Sequence, residues 1–156
     1  MTYDYNNYWS KSFTKQKKEG FLAEIVEELK KIEFTTVLEL GSGEGHLSQV
    51  LKKNFNINLT GMDIIGSNQY LDQFTQGNIT KLPFDNYDLI VGRFILLHIK
   101  PEHIEVLIDK INSSCKNLLF VDYSPLEQIQ LNEPNFLHKY PWNESRLNKF
   151  NSIFQR

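Results

Sequence analysis

Strand-like apolar runs that alternate with helical periodicities, a glycine-rich turn closing the first run, and the absence of any repeat or low-complexity linker predict an α/β domain. Its sheet is expected to be doubly wound and mostly parallel, with helices on both faces. Phe21, Ile25, Leu29 and Ile32 recur at helical spacing and are joined by Leu22 and Val26, which gives an amphipathic helix. Thr35 to Leu40 is short, β-branched and apolar, and Gly41 stops it, as a buried parallel strand requires. A second helix follows, with Leu47, Val50 and Leu51 facing inward. Ile57 to Ile64 forms the next strand, Gln73 to Gln76 a weaker third, and Tyr87 to Val91 a fourth. Pro101 suits the first turn of a helix whose inward side chains are Ile104, Leu107, Ile108 and Ile111, and Asn117 to Val121 is a fifth strand.

The bulk properties bound the function classes. With 156 residues, 40% of them hydrophobic, one compact domain fills the chain. A net charge of -2, with the early lysines interleaved among glutamates, gives no general pull toward phosphate backbones, so no nucleic-acid partner is expected. No apolar run approaches the ~20 residues of a membrane span and none follows a basic start, so neither membrane nor export is expected and a cytoplasmic setting is the default. The single cysteine, Cys115, has no partner for an internal disulfide and reads as structural. His46, His103 and His138 lack ligand spacing with carboxylates or Cys115, and no metal is expected.

Chemistry concentrates at the end of the first strand. Gly41, Ser42, Gly43, Glu44 and Gly45 must turn the chain sharply into a helix, and the three glycines permit positive φ and close approach of a ligand to bare main chain, with the amides of the helix start facing it. The spacing is Gly-x-Gly-x-Gly, with His46 where a dinucleotide fingerprint wants its third glycine or an alanine. Glu39, two places before the first glycine, would oppose a pyrophosphate but suits a ligand carrying ammonium and sulfonium charge.

These residues resemble the class I S-adenosylmethionine-dependent methyltransferases, whose first motif is acidic-x-Gly-x-Gly-x-Gly, met here by Glu39, Gly41, Gly43 and Gly45. The likeness continues through Gly61-Met62-Asp63-Ile64, where Asp63, 20 residues beyond Gly43, stands at the position of the ribose-binding carboxylate. Gln76-Gly77-Asn78-Ile79 with Leu82-Pro83-Phe84 is similar to the segment lining the adenine, with Asn78 in place of the usual Asp. Its carbonyl oxygen is expected to meet the adenine amino group, unless Asn78 is simply a turn residue. Tyr87 to Val91 and Leu96 to Ile99 complete the order over residues 37 to about 122. The resemblance implies a Rossmann-like fold, S-adenosyl-L-methionine as cofactor, and cofactor contacts from Glu39, Gly41, Ser42, Gly43, Gly45, Met62, Asp63, Ile64, Asn78, Ile79 and Arg93. It divides the single domain into an N-terminal lid and helix (1–35), a cofactor-binding core (36–122) and a short C-terminal tail (123–156).

Methyl transfer mainly requires holding an acceptor in line with the methyl, near ~3–3.5 Å, and excluding water. The catalytic candidates are Arg93, whose planar fork suits an acidic acceptor, and the acid–base groups His98, Asp122 and Tyr123. His98, four residues past Phe94 on one helical face, fits a packing histidine better than a base. Gly92-Arg93-Phe94-Ile95 stands after the fourth strand where base-modifying DNA methyltransferases carry Asp-Pro-Pro-Tyr or its Asn form, and no Pro-Cys pair occurs, so DNA bases are not the expected acceptor. Asn7-Tyr8-Trp9, residues 97 to 102 and Val121 to Pro125 are loosely similar to small bacterial methyltransferases of surface-sugar pathways such as pseudaminic acid synthesis, which implies a small sugar-like or acidic acceptor. Tyr3, Tyr5, Tyr8 and Trp9 then read as a lid over it.

The spacing also departs from the family. Between Asp63 and Tyr87 the chain is so short that one connecting helix must be very short and another absent. Phe150 to Phe154 is expected to supply a short final strand, and a second subunit, making a homodimer, to replace missing lid elements. Two other readings stay open: a non-catalytic S-adenosylmethionine-binding protein, and a nicotinamide-dependent oxidoreductase.

Overall fold

The computed structural model describes residues 21–121. Asp122, Tyr123, the aromatic cluster at residues 3 to 9, His138 and the strand expected at Phe150 to Phe154 lie outside the described residues. In chain order the elements are α1 (Leu22–Leu29), β1 (Thr36–Leu40), α2 (His46–Asn54), β2 (Asn58–Asp63), β3 (Gln73–Gln76), β4 (Tyr87–Arg93), a single 3₁₀ turn (Leu96–His98), α3 (Pro101–Ser114) and β5 (Cys115–Val121). The strands form one sheet in the order β3-β2-β1-β4-β5, and every pairing is parallel. This is the doubly wound α/β fold expected, with its reversal of strand order between β1 and β4.

Residues of alternate parity bury on opposite faces. Val37, Leu59, Leu89 and Val91 pack under Ile25 and Leu29 of α1 and Leu47 and Leu51 of α2. Leu38, Leu40, Ile90 and Phe120 pack under Ile104, Leu107, Ile108 and Ile111 of α3. Both faces are covered, so β1 and β4 read as continuous apolar runs. At the base of the sheet the carboxylate of Asp88 accepts hydrogen bonds from the N–H of Thr35 (2.9 Å) and of Thr36 (3.2 Å) and from the Thr35 hydroxyl (2.9 Å), fixing β1 against β4. Among the described residues no helix is long and apolar enough to cross a membrane.

The structure corrects several local expectations. On α2 the buried side chains are Leu47, Ser48 and Leu51, while Val50 is only half-buried. The fourth strand runs two residues further than its apolar core, because Gly92 and Arg93 keep pairing with Phe120 and Val121. Neither the β2–β3 nor the β3–β4 connection contains a helix, although one very short helix was expected. Residues 77–86 cross from β3 past β2 and β1 to β4, about 14 Å sideways at the strand spacing. The segment winds only a single turn, in which the N–H groups of Lys81 and Leu82 both donate to the Asn78 carbonyl (2.9 and 3.0 Å).

A lysine of α3 secures that connection. Lys110 Nζ donates to the carbonyl oxygens of Ile79 and Leu82, both at 2.6 Å, and lies 4.2 Å from the centre of the Phe84 ring. Replacing it strips a charged donor from two carbonyls at once. Lys110→Met is expected to lower unfolding stability by about 2 kcal/mol without changing the dependence on denaturant, as measured by urea unfolding.

Candidate functional site

The turn between β1 and α2 has three left-handed glycines, Gly41 (φ 70°), Gly43 (φ 51°) and Gly45 (φ 97°), but they serve different ends. A Cβ at Gly41 would lie 2.7 Å from Ile95 Cδ1, and one at Gly45 would lie 2.8 Å from Tyr70 Cδ2 and 2.9 Å from Asn68 Cγ. A Cβ at Gly43 would meet nothing closer than Asp63 Oδ2, at 3.9 Å. The outer glycines are therefore dictated by neighbours, and the central one leaves space for something else. Four of the turn's own amides find partners within the protein. Gly41 and Ser42 donate to the carbonyl of Met62 (2.8 and 3.3 Å), Gly43 donates to Asp63 Oδ2 (2.7 Å) and Gly45 to the Ser42 carbonyl (3.1 Å). Buried main-chain donors must be satisfied, and this turn satisfies four of them internally.

Asp63, at the end of β2, is 8% exposed and accepts hydrogen bonds from Gly43 N–H and from Ile65 N–H, the latter at 2.9 Å. Burial raises its pKa above the usual carboxylate value, against the opposing pull of those main-chain donors. Next to it the Ile64 side chain is 47% exposed, an uncovered apolar surface at the strand's carboxyl end.

Glu39 lies behind the turn, 2% exposed. Its Oε1 accepts a hydrogen bond from the Ser48 hydroxyl at 2.6 Å. Burial pushes its pKa up to about 8, while the Ser48 bond and the charge of Arg93 pull downward. Asn68, in the loop after β2, donates from Nδ2 to Ser48 Oγ (3.1 Å) and to the carbonyl oxygens of Ser42 and Gly43 (both 3.4 Å).

A cleft of about 320 Å³ opens at the carboxyl ends of the strands. Gly41, Met62, Asp63 and Ile64 line one side, Asn78, Ile79, Thr80 and Lys81 another, and Ile95, His98, Ile99 and His103 the third. The structure thus brings Gly41, Met62, Asp63, Ile64, Asn78, Ile79 and His98 together around one space. Glu39, Ser42, Gly43 and Gly45 form the turn beside and beneath it and are absent from its lining. Arg93 is also absent from the lining; its guanidinium lies 5.2 Å from the centre of the Phe94 ring.

Asn78 Oδ1 accepts from the N–H of Thr80 (2.9 Å) and from its hydroxyl (2.7 Å), the geometry of the turn residue that was one of its two expected parts. Phe94 and His98 share no helical face. Phe94 is left-handed (φ 57°), and the chain enters its 3₁₀ turn only at Leu96. His98 is 6% exposed against the cleft, whereas Phe94 packs on the opposite face of the sheet, edge-on to Phe21.

Sequence reasoning missed Ser48, Asn68, His103 and Lys110. Ser48 carried a signal, since a position one residue after Leu47 and three before Leu51 lies on the buried stripe of α2. Asn68 carried none, because nothing in a loop sequence tells which turn it touches.

A parallel sheet with a glycine turn at its order reversal, a carboxylate closing the neighbouring strand and a cleft at the strands' carboxyl edge defines a Rossmann-like α/β domain. Residues 11–154 match the family described as a methyltransferase domain, and the chain belongs to that family. Among curated proteins nothing matches it. Among solved structures, a protein of Bacillus halodurans C-125 described as a methyltransferase is similar with a TM-score of 0.62 and 18% identity, over 82% of this chain and 65% of the other. Human N-acetylserotonin methyltransferase in complex with SAM gives 0.58 and 20%, over 80% and 42%. An S-adenosylmethionine-dependent methyltransferase of Clostridium acetobutylicum ATCC 824 gives 0.57 and 18%, over 81% and 58%. At these identities the likeness is one of fold, and this chain spans less than two thirds of the length of each.

The turn and the buried carboxyl each yield a test. Gly41→Ala and Gly45→Ala are expected to cost about 2 kcal/mol or more through contact and positive φ, and Gly43→Ala about 1 kcal/mol, as read from thermal unfolding. For Glu39 the folded pKa lies above the unfolded value of 4.5, so the folded state holds the extra proton between pH 4.5 and about 8. Stability of the ligand-free protein should therefore fall as pH rises through that window, and Glu39→Gln should flatten the fall. Asp63, also raised by burial, contributes in the same direction and is left in place by Glu39→Gln, whereas Asp88 and Asp72, whose pKa values are lowered, act below pH 4.

Proposed function

We propose that the protein is an S-adenosylmethionine-dependent methyltransferase acting on a small-molecule acceptor. The observation that carries this reading is the pairing of Asp63 with the open face of Gly43. A carboxylate that is nine-tenths buried reaches the floor of a 320 Å³ cleft, beside an exposed isoleucine and a glycine whose missing side chain leaves space. Ribose hydroxyls are donors and suit that carboxylate; adenine is flat and apolar on its faces and suits Ile64 and Ile79. The amino-acid end, with its ammonium, falls to the Glu39 side of the turn. The cofactor supplies a methyl group on a positively charged sulfur, and the protein's residues hold, orient and dehydrate the reactants.

Arg93 ends β4 on the Glu39 side, with its charge felt by that buried carboxyl. The resemblance to surface-sugar enzymes favours a sugar-like or acidic acceptor, and in this reading Arg93 pairs with it while His98, Asp122 or Tyr123 serves as base. Arg93→Ala should then reduce turnover of such an acceptor at least tenfold, about 1.4 kcal/mol, and unchanged turnover would remove Arg93 from the reaction.

Calorimetry tests the core of the proposal. S-adenosylhomocysteine should bind at micromolar levels and NAD should not. Gly43→Ala should weaken that binding at least tenfold while unfolding close to the wild-type temperature. Transfer of labelled methyl from S-adenosylmethionine to a small-molecule fraction of cell extract then separates an enzyme from a binding protein: binding without transfer to any fraction favours the latter.

A further inference from the structure

We propose that Ser48 and Asn68 are positioning residues for the cofactor, a two-residue relay that ties the carboxyl of Glu39 to the main chain of the glycine turn and links cofactor binding to release of a proton. The inference rests on the cofactor reading above. Neither residue lines the cleft, and neither belongs to the glycine motif.

The hydrogen-bond directions are fixed from the loop end. Asn68 Oδ1 accepts from Tyr70 N–H at 2.9 Å, so its Nδ2 faces Ser48 Oγ (3.1 Å) and the Ser42 and Gly43 carbonyls (3.4 Å). Ser48 is fully buried and has one hydrogen, which it gives to Glu39 Oε1 at 2.6 Å while accepting from Asn68. Donation therefore runs one way, from Asn68 to Ser48 to Glu39. A negative carboxylate at the end of such a chain polarises the serine hydroxyl and strengthens the Asn68 bond, and a neutral carboxyl relaxes both. Asn68 also fills the space over Gly45, where a Cβ would lie 2.9 Å from its Cγ. Tightening the chain thus draws the loop after β2 against the turn.

The surroundings of Glu39 hold its charge in balance. From β4 comes the positive charge of Arg93, from β2 the negative charge of Asp63, from α2 the hydroxyl of Ser48; the buried side chains of α1 are the apolar Ile25, Val26 and Leu29. Burial dominates, and the empty protein keeps Glu39 largely protonated below about pH 8. A ligand ammonium at the turn supplies an additional positive charge. Glu39 then ionises, its proton leaves to solvent, and the relay tightens on the occupied turn.

The test is calorimetry of the full chain with S-adenosylhomocysteine in buffers of different ionisation enthalpy, between pH 6 and 7.5. Wild-type protein should release close to one proton per ligand, with affinity rising up to about tenfold per pH unit. Ser48→Ala, which removes the bond that lowers the Glu39 pKa, should move this rise to higher pH. Asn68→Ala should keep the release but weaken binding several-fold at every pH, and Ser48→Thr, which keeps the hydroxyl, should restore the wild-type profile. Binding by wild-type protein without proton release overturns the relay and leaves the cofactor reading standing, as do Ser48→Ala and Asn68→Ala variants with wild-type profiles. Failure of wild-type protein to bind overturns both. Absence of proton release from the wild-type protein overturns the proposal even where a variant does not fold.

Discussion

The hydrogen bond from Gly43 N–H to Asp63 carries the tie between β1 and β2 beyond their ladder, past the point where Gly41 and Ser42 donate to Met62. In a parallel sheet all carboxyl ends point the same way, and the loops leaving them have no ladder partners of their own. Here the loop after β1 is pinned by the last residue of β2, and the loop after β2 returns through Asn68 to grip the loop after β1. The cleft's first wall is this mutual clamp. Because Asp63 is buried, the same carboxylate that orders the turn is poorly solvated, and a ligand hydroxyl brings hydrogen bonds that water does not fully provide.

The fold was largely legible because both faces of the sheet are covered. Strands that are buried throughout, such as Val37 to Leu40 and Leu89 to Val91, differ sharply from the 3.6-residue pattern of α3, and Pro101 and Gly41 mark where one gives way to the other. Boundaries failed where pairing outlasts hydrophobicity, as at Gly92 and Arg93, whose inclusion in β4 depends on Phe120 and Val121 across the sheet. Of the two connections between β2 and β4, one was expected to keep a very short helix, and the chain there winds no more than a single turn, at Asn78 to Leu82.

At the site, residues on strand ends were readable and residues on loops were not. Glu39, Gly41 and Asp63 stand at fixed distances along β1, the turn and β2, so the resemblance to the family's motifs located them. Asn78 was placed on the correct wall, yet its oxygen is spent on Thr80, a local competition that favours a turn over a ligand. Ser48 was hidden by the habit of reading a helix's inner face as apolar. Its hydroxyl is tolerated there because Glu39 lies opposite, and each would be costly to bury without the other.

The connection from β3 to β4 has a mechanical meaning for recognition. A span closed by a hydrogen-bonded turn at Asn78 and tied at two carbonyls by Lys110 behaves as a brace, and the wall it forms, from Asn78 to Lys81, holds its shape before anything arrives. Adaptation to different guests then falls to the opposite rim, where the chain leaves β4 through a left-handed phenylalanine and a single short turn.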